Sequence, residues 1–447
     1  MHLRIEASIK GAFKMKRITL SLLLLAFSVA LVFANGAGET PEAKKTIVNY
    51  YTWESLENTN PIIAQFNAEN PDIEVVLHVV PDNADTQTKL DVMMMGSTDI
   101  DVVQIADGQQ FAKAKNGLLR NIDDFIAKDN IDMKANFGGT EAWAKFEGSY
   151  YCYPRHNSVG AVFYNKDMFD EMGIPYPADD WTYSEYAELA KKLTHGTGAD
   201  KVYGTFNHIR PGFWCLTALQ KADFYTADGM ANIGAAPFIS DLKMRDYLDD
   251  NGYEKSYSDI MATNTLQNIE FFGKKTAMVQ AASWLVRDMK NKEKYPYDFR
   301  VGVAYFPRFD ETVQDKYTWG SVSALAIPST SKNAEAAWKF IRYYIEKGSI
   351  QIAKAGTVPA YLPAYTDEMI AAFGEGSGLA AEDIQRFFDP ELKSVMKMPV
   401  GEAMNEYNSI IQEETSLYFT KAKTLDQTVT DMVTRVNKAI LAERAKK

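Results

Sequence analysis

Between Thr46 and Ile105 the chain alternates β-type and helical runs, and this alternation constrains the fold more than any other feature. Thr46-Ile47-Val48-Asn49-Tyr50-Tyr51 is rich in residues that suit a strand. Asn60-Pro61 then opens a helix with Ile62, Ile63 and Phe66 on one face, and Asn70-Pro71 ends it. Ile73 to Val80 forms a second strand, Thr86 to Met95 a helix stopped by Gly96, and Ile100 to Ile105 a third strand. Parallel strands need crossover connections, and helices between strands supply them. The expected fold is therefore α/β.

The pattern continues beyond this unit. Tyr150 to Tyr153, Val159 to Tyr164, Val301 to Phe306 and Ser323 to Ile327 are expected strands. Thr182-Tyr183-Ser184-Glu185 has the form of a capping box and starts a helix reaching about Leu193. Further helices are expected over Asp241 to Asp250, Thr265 to Phe272 and Ala334 to Glu346, and mostly helix beyond Asp367. A chain of 447 residues exceeds one ordinary core, which implies two domains. No repeat, low-complexity tract or long linker separates them, so the chain must cross between them within structured segments.

The N-terminus has a different character. Met15-Lys16-Arg17 is followed by an apolar run from Ile18 to Phe33 and by small residues around Ala34. This order of charged, apolar and cleavage regions reads as a secretory signal over residues 1–34, with Met15 the better start. The run is short for a transmembrane anchor. Residues 35–45 are small and polar, an expected flexible lead-in. No cysteine follows the apolar run, so a lipid anchor is not expected, and an exported protein without an anchor is retained only where a second membrane encloses it, in a periplasm. Residues 1–34 carry five basic groups and one acidic group, so their removal moves the net charge from −11 to about −15. Such a charge argues against nucleic acid and anionic lipid as partners.

Cys152 and Cys215 are the two cysteines. An exported protein permits a bridge between them, but two cysteines do not make a disulfide framework, and buried free thiols are the expected state. The five histidines are scattered and form no metal cluster, and no cofactor motif is present. A nucleophile elbow, a His-Glu-x-x-His helix and a Gly-rich phosphate loop are all missing from the sequence, which argues against an enzyme. Open α/β sheets present ligand contacts at the C-terminal ends of their strands. Trp53 and Glu54 follow the first strand and Asp107 the third, so these are candidate contacts. Trp53 also suits a core, and Asp107 also suits a helix N-cap. Trp319, just before a strand, is a further candidate ring.

Several stretches in order resemble the bacterial extracellular solute-binding proteins of the sugar-binding type, the group that includes the maltose-binding protein. They are Phe66-Asn67-Ala68-Glu69-Asn70-Pro71, Asp101-Val102-Val103 with Gly117-Leu118-Leu119, and Tyr153-Pro154 followed by Tyr164-Asn165-Lys166-Asp167-Met168-Phe169. Trp181, Gly273-Lys274-Lys275-Thr276-Ala277-Met278 with Trp284, Ala336-Ala337-Trp338-Lys339-Phe340-Ile341 and Gly356-Thr357-Val358-Pro359-Ala360 continue the series to about Pro363.

The resemblance implies a two-lobed periplasmic-binding-protein fold (type II), each lobe a mostly parallel sheet flanked by helices, with hinge segments between. It implies an N-terminal lobe of residues 46–155 and 309–360 and a C-terminal lobe of 156–308 and 361–447. Crossovers fall near Pro154 to Ser158, near Pro307 to Phe309 and after Gly356. A solute then binds in the cleft and the lobes close on it. The implied partners are a small carbohydrate and the membrane permease subunits of an ABC importer, with the protein itself a monomer. His156, Asn157 and Ser158 lie at the first crossover, where the maltose binder has a ligand carboxylate; the matching position here is Ser158. Arg210 and Gly212 stand where that protein uses a carboxylate and a ring, so the ligand differs from maltose. Arg210 suits a sugar hydroxyl, a uronate carboxylate or an interlobe ion pair. Trp284 matches a stacking ring of the family. A peptide, polyamine or ferric-ion binder of the same fold and an exported glycoside hydrolase are the alternatives.

Overall fold

The computed structural model describes residues 45–81, 84–105, 108–209 and 212–446. The signal-like segment, Asp107 and Arg210 lie outside the described residues. Twelve strands are named: β1 (Thr46–Thr52), β2 (Ile73–Val79), β3 (Val102–Ile105), β4 (Lys145–Phe146), β5 (Ser149–Tyr150), β6 (Tyr153–Asn165), β7 (Tyr203–Phe206), β8 (Thr276–Ala282), β9 (Val301–Ala304), β10 (Tyr317–Ala326), β11 (Val358–Pro359) and β12 (Lys393–Met396). The helices used below are α1 (Leu56–Glu69), α2 (Gln109–Lys115), α3 (Tyr183–Leu193), α4 (Ala236–Asp250), α5 (Trp284–Lys290), α6 (Ala334–Arg342), α7 (Met404–Phe419) and α8 (Leu425–Arg444).

The main sheet runs β2-β1-β3-β10-β6-β8-β7, with β9 and β11 on β6 and β12 on β10. β1 is parallel to β3, and β7 to β8, as crossover helices require. At the centre, β3–β10, β10–β6 and β6–β8 are antiparallel, so the sheet as a whole is mixed. The cause is β6, whose 13 residues serve two groups of partners. Its first half pairs β10 and β11, and its second half pairs β8 and β9.

The buried apolar side chains form four clusters, one reaching the first half of β6 and the others lying on its second half and beyond. One cluster draws on Val48 to Tyr153 and on Ala324 to Ala360. The others draw on Ala161 to Trp319 and on the chain from Ala353 onward. The backbone passes from one group to the other within β6, within β10 between Trp319 and Ala324, and again around Ala353 to Ala360. Each crossing is made by hydrogen-bonded backbone.

Local chemistry explains where elements begin. The helix expected at Asn60-Pro61 starts earlier, because Ser55 caps it by accepting from the Asn58 N–H at 3.3 Å. Pro61 then sits inside α1. The box at Thr182 forms as read: its side chain accepts from the Glu185 N–H, and the Glu185 carboxylate accepts from the Thr182 N–H at 2.7 Å. Gly160 faces the indole of Trp319 so closely that any side chain there would collide with the ring. Both cysteines are free and buried, and burial pushes the Cys152 thiol up to about 12. Among the described residues no helix is long and apolar enough to cross a membrane.

Candidate functional site

The end of β1, which the sequence singled out, and the end of β8 meet at the middle of β6. A register shift lies between Ser323 and Ala324: Ala324 stands beside Pro154, and Ser323 beside His156. Arg155 is thus the extra residue of a β-bulge, a device that re-aims a side chain. Its guanidinium turns inward, 1% exposed, and Nη1 donates to Glu54 Oε1 at 3.0 Å and lies against His156 Nδ1. Its Nη2 donates to the Tyr344 hydroxyl at 3.5 Å.

Glu54 is itself 5% exposed, and the end of β1 holds it. Its backbone N–H donates to Thr52 Oγ1 at 3.0 Å, and Thr52 in turn donates to Gln104 Oε1. Gln104, on β3, donates to Ser323 Oγ on β10 at 2.8 Å and more weakly to Glu54 Oε1 at 3.4 Å. Burial alone would push the Glu54 carboxyl up. The charges of Arg155, then His156 and Arg287, outweigh it and hold the carboxyl at about 2. Glu54 is therefore a charged strut inside the first core group, already committed to protein partners.

The other core group reaches the same place through the end of β8. Ser283 Oγ donates to the Asn157 carbonyl at 3.3 Å and accepts from the Val159 N–H at 3.2 Å. This ties the start of α5, with Trp284 and Arg287, to the centre of β6. Gly356, at φ +76°, packs against the Arg287 backbone with no room for a side chain. Asn157 Oδ1 accepts from Thr140 at 3.2 Å, and Ser158 pairs with Ser321 of β10.

The structure thus brings together Glu54, His156, Asn157, Ser158 and, through Ser283, Trp284. Trp53 and Trp284 are each partly exposed. Trp319 is 2% exposed and packs edge-on to Phe213, ring centroids 5.0 Å apart. It belongs to the packed layer under the site. Arg155, at the expected first crossover, joins the network, and Gln104, Ser323 and Arg287 complete it without having been singled out as ligand contacts. Among the described residues no group of three or more His, Cys, Asp or Glu is placed to hold a metal ion.

Two buried polar clusters support the neighbouring loop. Arg245, on α4, donates to the carbonyls of His208 at 2.8 Å and Asn207 at 3.0 Å, with Glu254 beside it at 3.4 Å. Asp241 accepts from Thr217 Oγ1 at 2.6 Å and from the Ala218 N–H at 2.7 Å. Burial pushes the Asp241 carboxyl up to about 7, against the pull of these hydrogen bonds.

Comparison with known proteins places this architecture. Residues 53–350 match the bacterial extracellular solute-binding protein family. The chain is similar to a multiple sugar-binding protein of Streptococcus mutans, 25% identical over 339 residues, covering 70% of this chain and 74% of that one. Among solved structures it resembles a sugar transporter protein from Rhizobium etli in an open conformation, with TM-score 0.74 and 24% identity, covering 88% of this chain and all of that one. It also resembles an ABC substrate-binding protein from Listeria monocytogenes in complex with cycloalternan, with TM-score 0.75 and 21% identity over 88% and 99% of the two chains. These likenesses describe binding proteins rather than enzymes. The family match covers well over half of the sequence, and the chain belongs to the bacterial extracellular solute-binding proteins.

Proposed function

We propose that the protein captures a mono- or oligosaccharide at the middle of β6, between its two core groups, and delivers it unchanged to the membrane permease subunits of an ABC importer. The two groups act as lobes, and the three crossings within β6, β10 and the segment around Gly356 act as hinges. The observation that carries this reading is the meeting of Glu54 and Arg155 from one side with Ser283, Trp284 and Arg287 from the other on a single strand. Only contacts made to both sides can favour a closed state. The rings of the partly exposed Trp53 and Trp284 suit the C–H faces of a sugar, and the amides and hydroxyls of Asn157 and Ser158 suit its hydroxyl groups. The sugar ligands named for the Streptococcus and Listeria relatives support the same class.

Replacing Trp284 tests this. Trp284→Ala should weaken saccharide binding by about 1–3 kcal/mol while leaving the unfolding midpoint nearly unchanged. Calorimetric titration against a panel of neutral and acidic saccharides, a peptide mixture and ferric citrate reads the effect. Unchanged affinity removes Trp284 from the site, and binding only of peptide or ferric ion overturns the sugar reading.

A further inference from the structure

Beside this junction lies a cation with no acidic partner among the described residues. β12 pairs parallel with β10, placing Met396 beside Gly320, so Lys397 comes level with Ser321, whose other neighbour is Ser158. β3 approaches along the same edge of β10 from the opposite direction, Ile105 beside Ala324. The two strands end head to head, and a Cβ added at Gly108 would lie 3.9 Å from Met398 Sδ. Lys397 therefore stands where the ends of β3 and β12 meet over the centre of the sheet.

The residue is 9% exposed. The ammonium lies 4.7 Å from the ring centre of Trp319 and 4.9 Å from that of Phe213. Gly212, at φ +79°, backs directly onto the Lys397 carbonyl, leaving no space for a side chain and fixing the lysine backbone against the loop that carries Phe213. Among the described residues no carboxylate pairs with Lys397 and no oxygen accepts from it. The neighbouring charges are already matched: Glu54 with Arg155 at 3.0 Å, and Arg287 with Asp288 at 3.5 Å. Taking an ammonium from water without an acceptor is costly, and aromatic faces return only part of that cost.

We infer that the saccharide captured here carries an anionic group, a uronate carboxylate or a sugar phosphate, and that Lys397 receives it. A neutral hydroxyl would accept a hydrogen bond but leave the charge uncompensated, whereas an anion supplies a charge-assisted bond in a site of low dielectric. The inference rests on the sugar-binding reading and names its substrate class.

Titration of the purified protein separates the two claims. The probes are galacturonate and glucuronate mono- and disaccharides, glucose 6-phosphate, and the matching neutral sugars. At least one anionic probe should bind tenfold or more tighter than its neutral counterpart, and that preference should shrink as salt is raised. The carboxylate and phosphate arms say which anion is held. Lys397→Met, which keeps the apolar stem, should abolish the preference, lowering affinity for the anionic probe at least tenfold more than for its neutral counterpart. Lys397→Arg should retain it. A lysine serving only to cover Phe213 and Trp319 would instead lower the unfolding midpoint in Lys397→Met with no change in the anionic-to-neutral ratio. Neutral sugars binding as well as charged ones would overturn this inference alone. No saccharide of either kind binding would overturn the sugar-binding reading as well.

Discussion

Arg155→Met should destabilise the protein by about 3–5 kcal/mol, because it strands the Glu54 carboxylate in the core without its cation. Urea unfolding at pH 7 measures this. The double variant Glu54→Met with Arg155→Met should lose less than the single one, since no unpaired charge remains. A double variant worse than the single would contradict the account of Glu54 as a strut. The same pair fixes a pH dependence. The Glu54 carboxyl stands at about 2 in the folded protein, against 4.5 for a free glutamate. Its folded-state pKa is depressed, so the folded form holds the ionised carboxylate more strongly than the unfolded chain does. The resulting stability, about 3 kcal/mol, is fully present above pH 4.5 and is lost as the pH falls toward 2. The difference between wild type and Glu54→Gln, followed from pH 6 to pH 2, isolates it.

Asp241 should show the opposite dependence. Its carboxyl is raised to about 7 by burial, against 3.8 when unfolded. Below pH 3.8 both states carry the proton. Between the two values the folded protein keeps it while the unfolded chain releases it, so stability falls as the pH rises and reaches its floor above pH 7. The expected loss is on the order of 2–4 kcal/mol. Asp241→Asn should remove that slope and be more stable than wild type at pH 8. Parallel curves for the two proteins would show that the carboxyl ionises freely in its place beside Thr217 and Ala218.

The alternating fold was legible because each early element carries its own period and punctuation. β1, β2 and β3 have short apolar runs, and the capping box at Thr182 has local sequence form. Trp53 and Glu54 were legible as strand-end residues for the same reason. The partners were not. Glu54 meets Arg155 across 101 positions, and no local rule connects them. Two strands were expected here, Tyr150 to Tyr153 and Val159 to Tyr164, yet the bulge at Arg155 accommodates Pro154 and β6 runs unbroken for 13 residues. Gly320 likewise masked the first half of β10, so Trp319 was read as preceding a strand when it lies within one, under the site rather than open to it. Lys397 lay in a stretch expected to be mostly helical. β12 is four residues long and owes its existence to pairing with β10, which sequence periodicity does not record.

All of this depends on a guest being held between two cores and let go intact. Equilibrium dialysis of the purified protein against a mixture of neutral and acidic saccharides, with mass spectrometry of what it retains, tests that most directly. The expected result is one class of saccharide retained at one molecule per protein and recovered at its original mass. Retention of no saccharide, or recovery of cleaved fragments, would contradict the account.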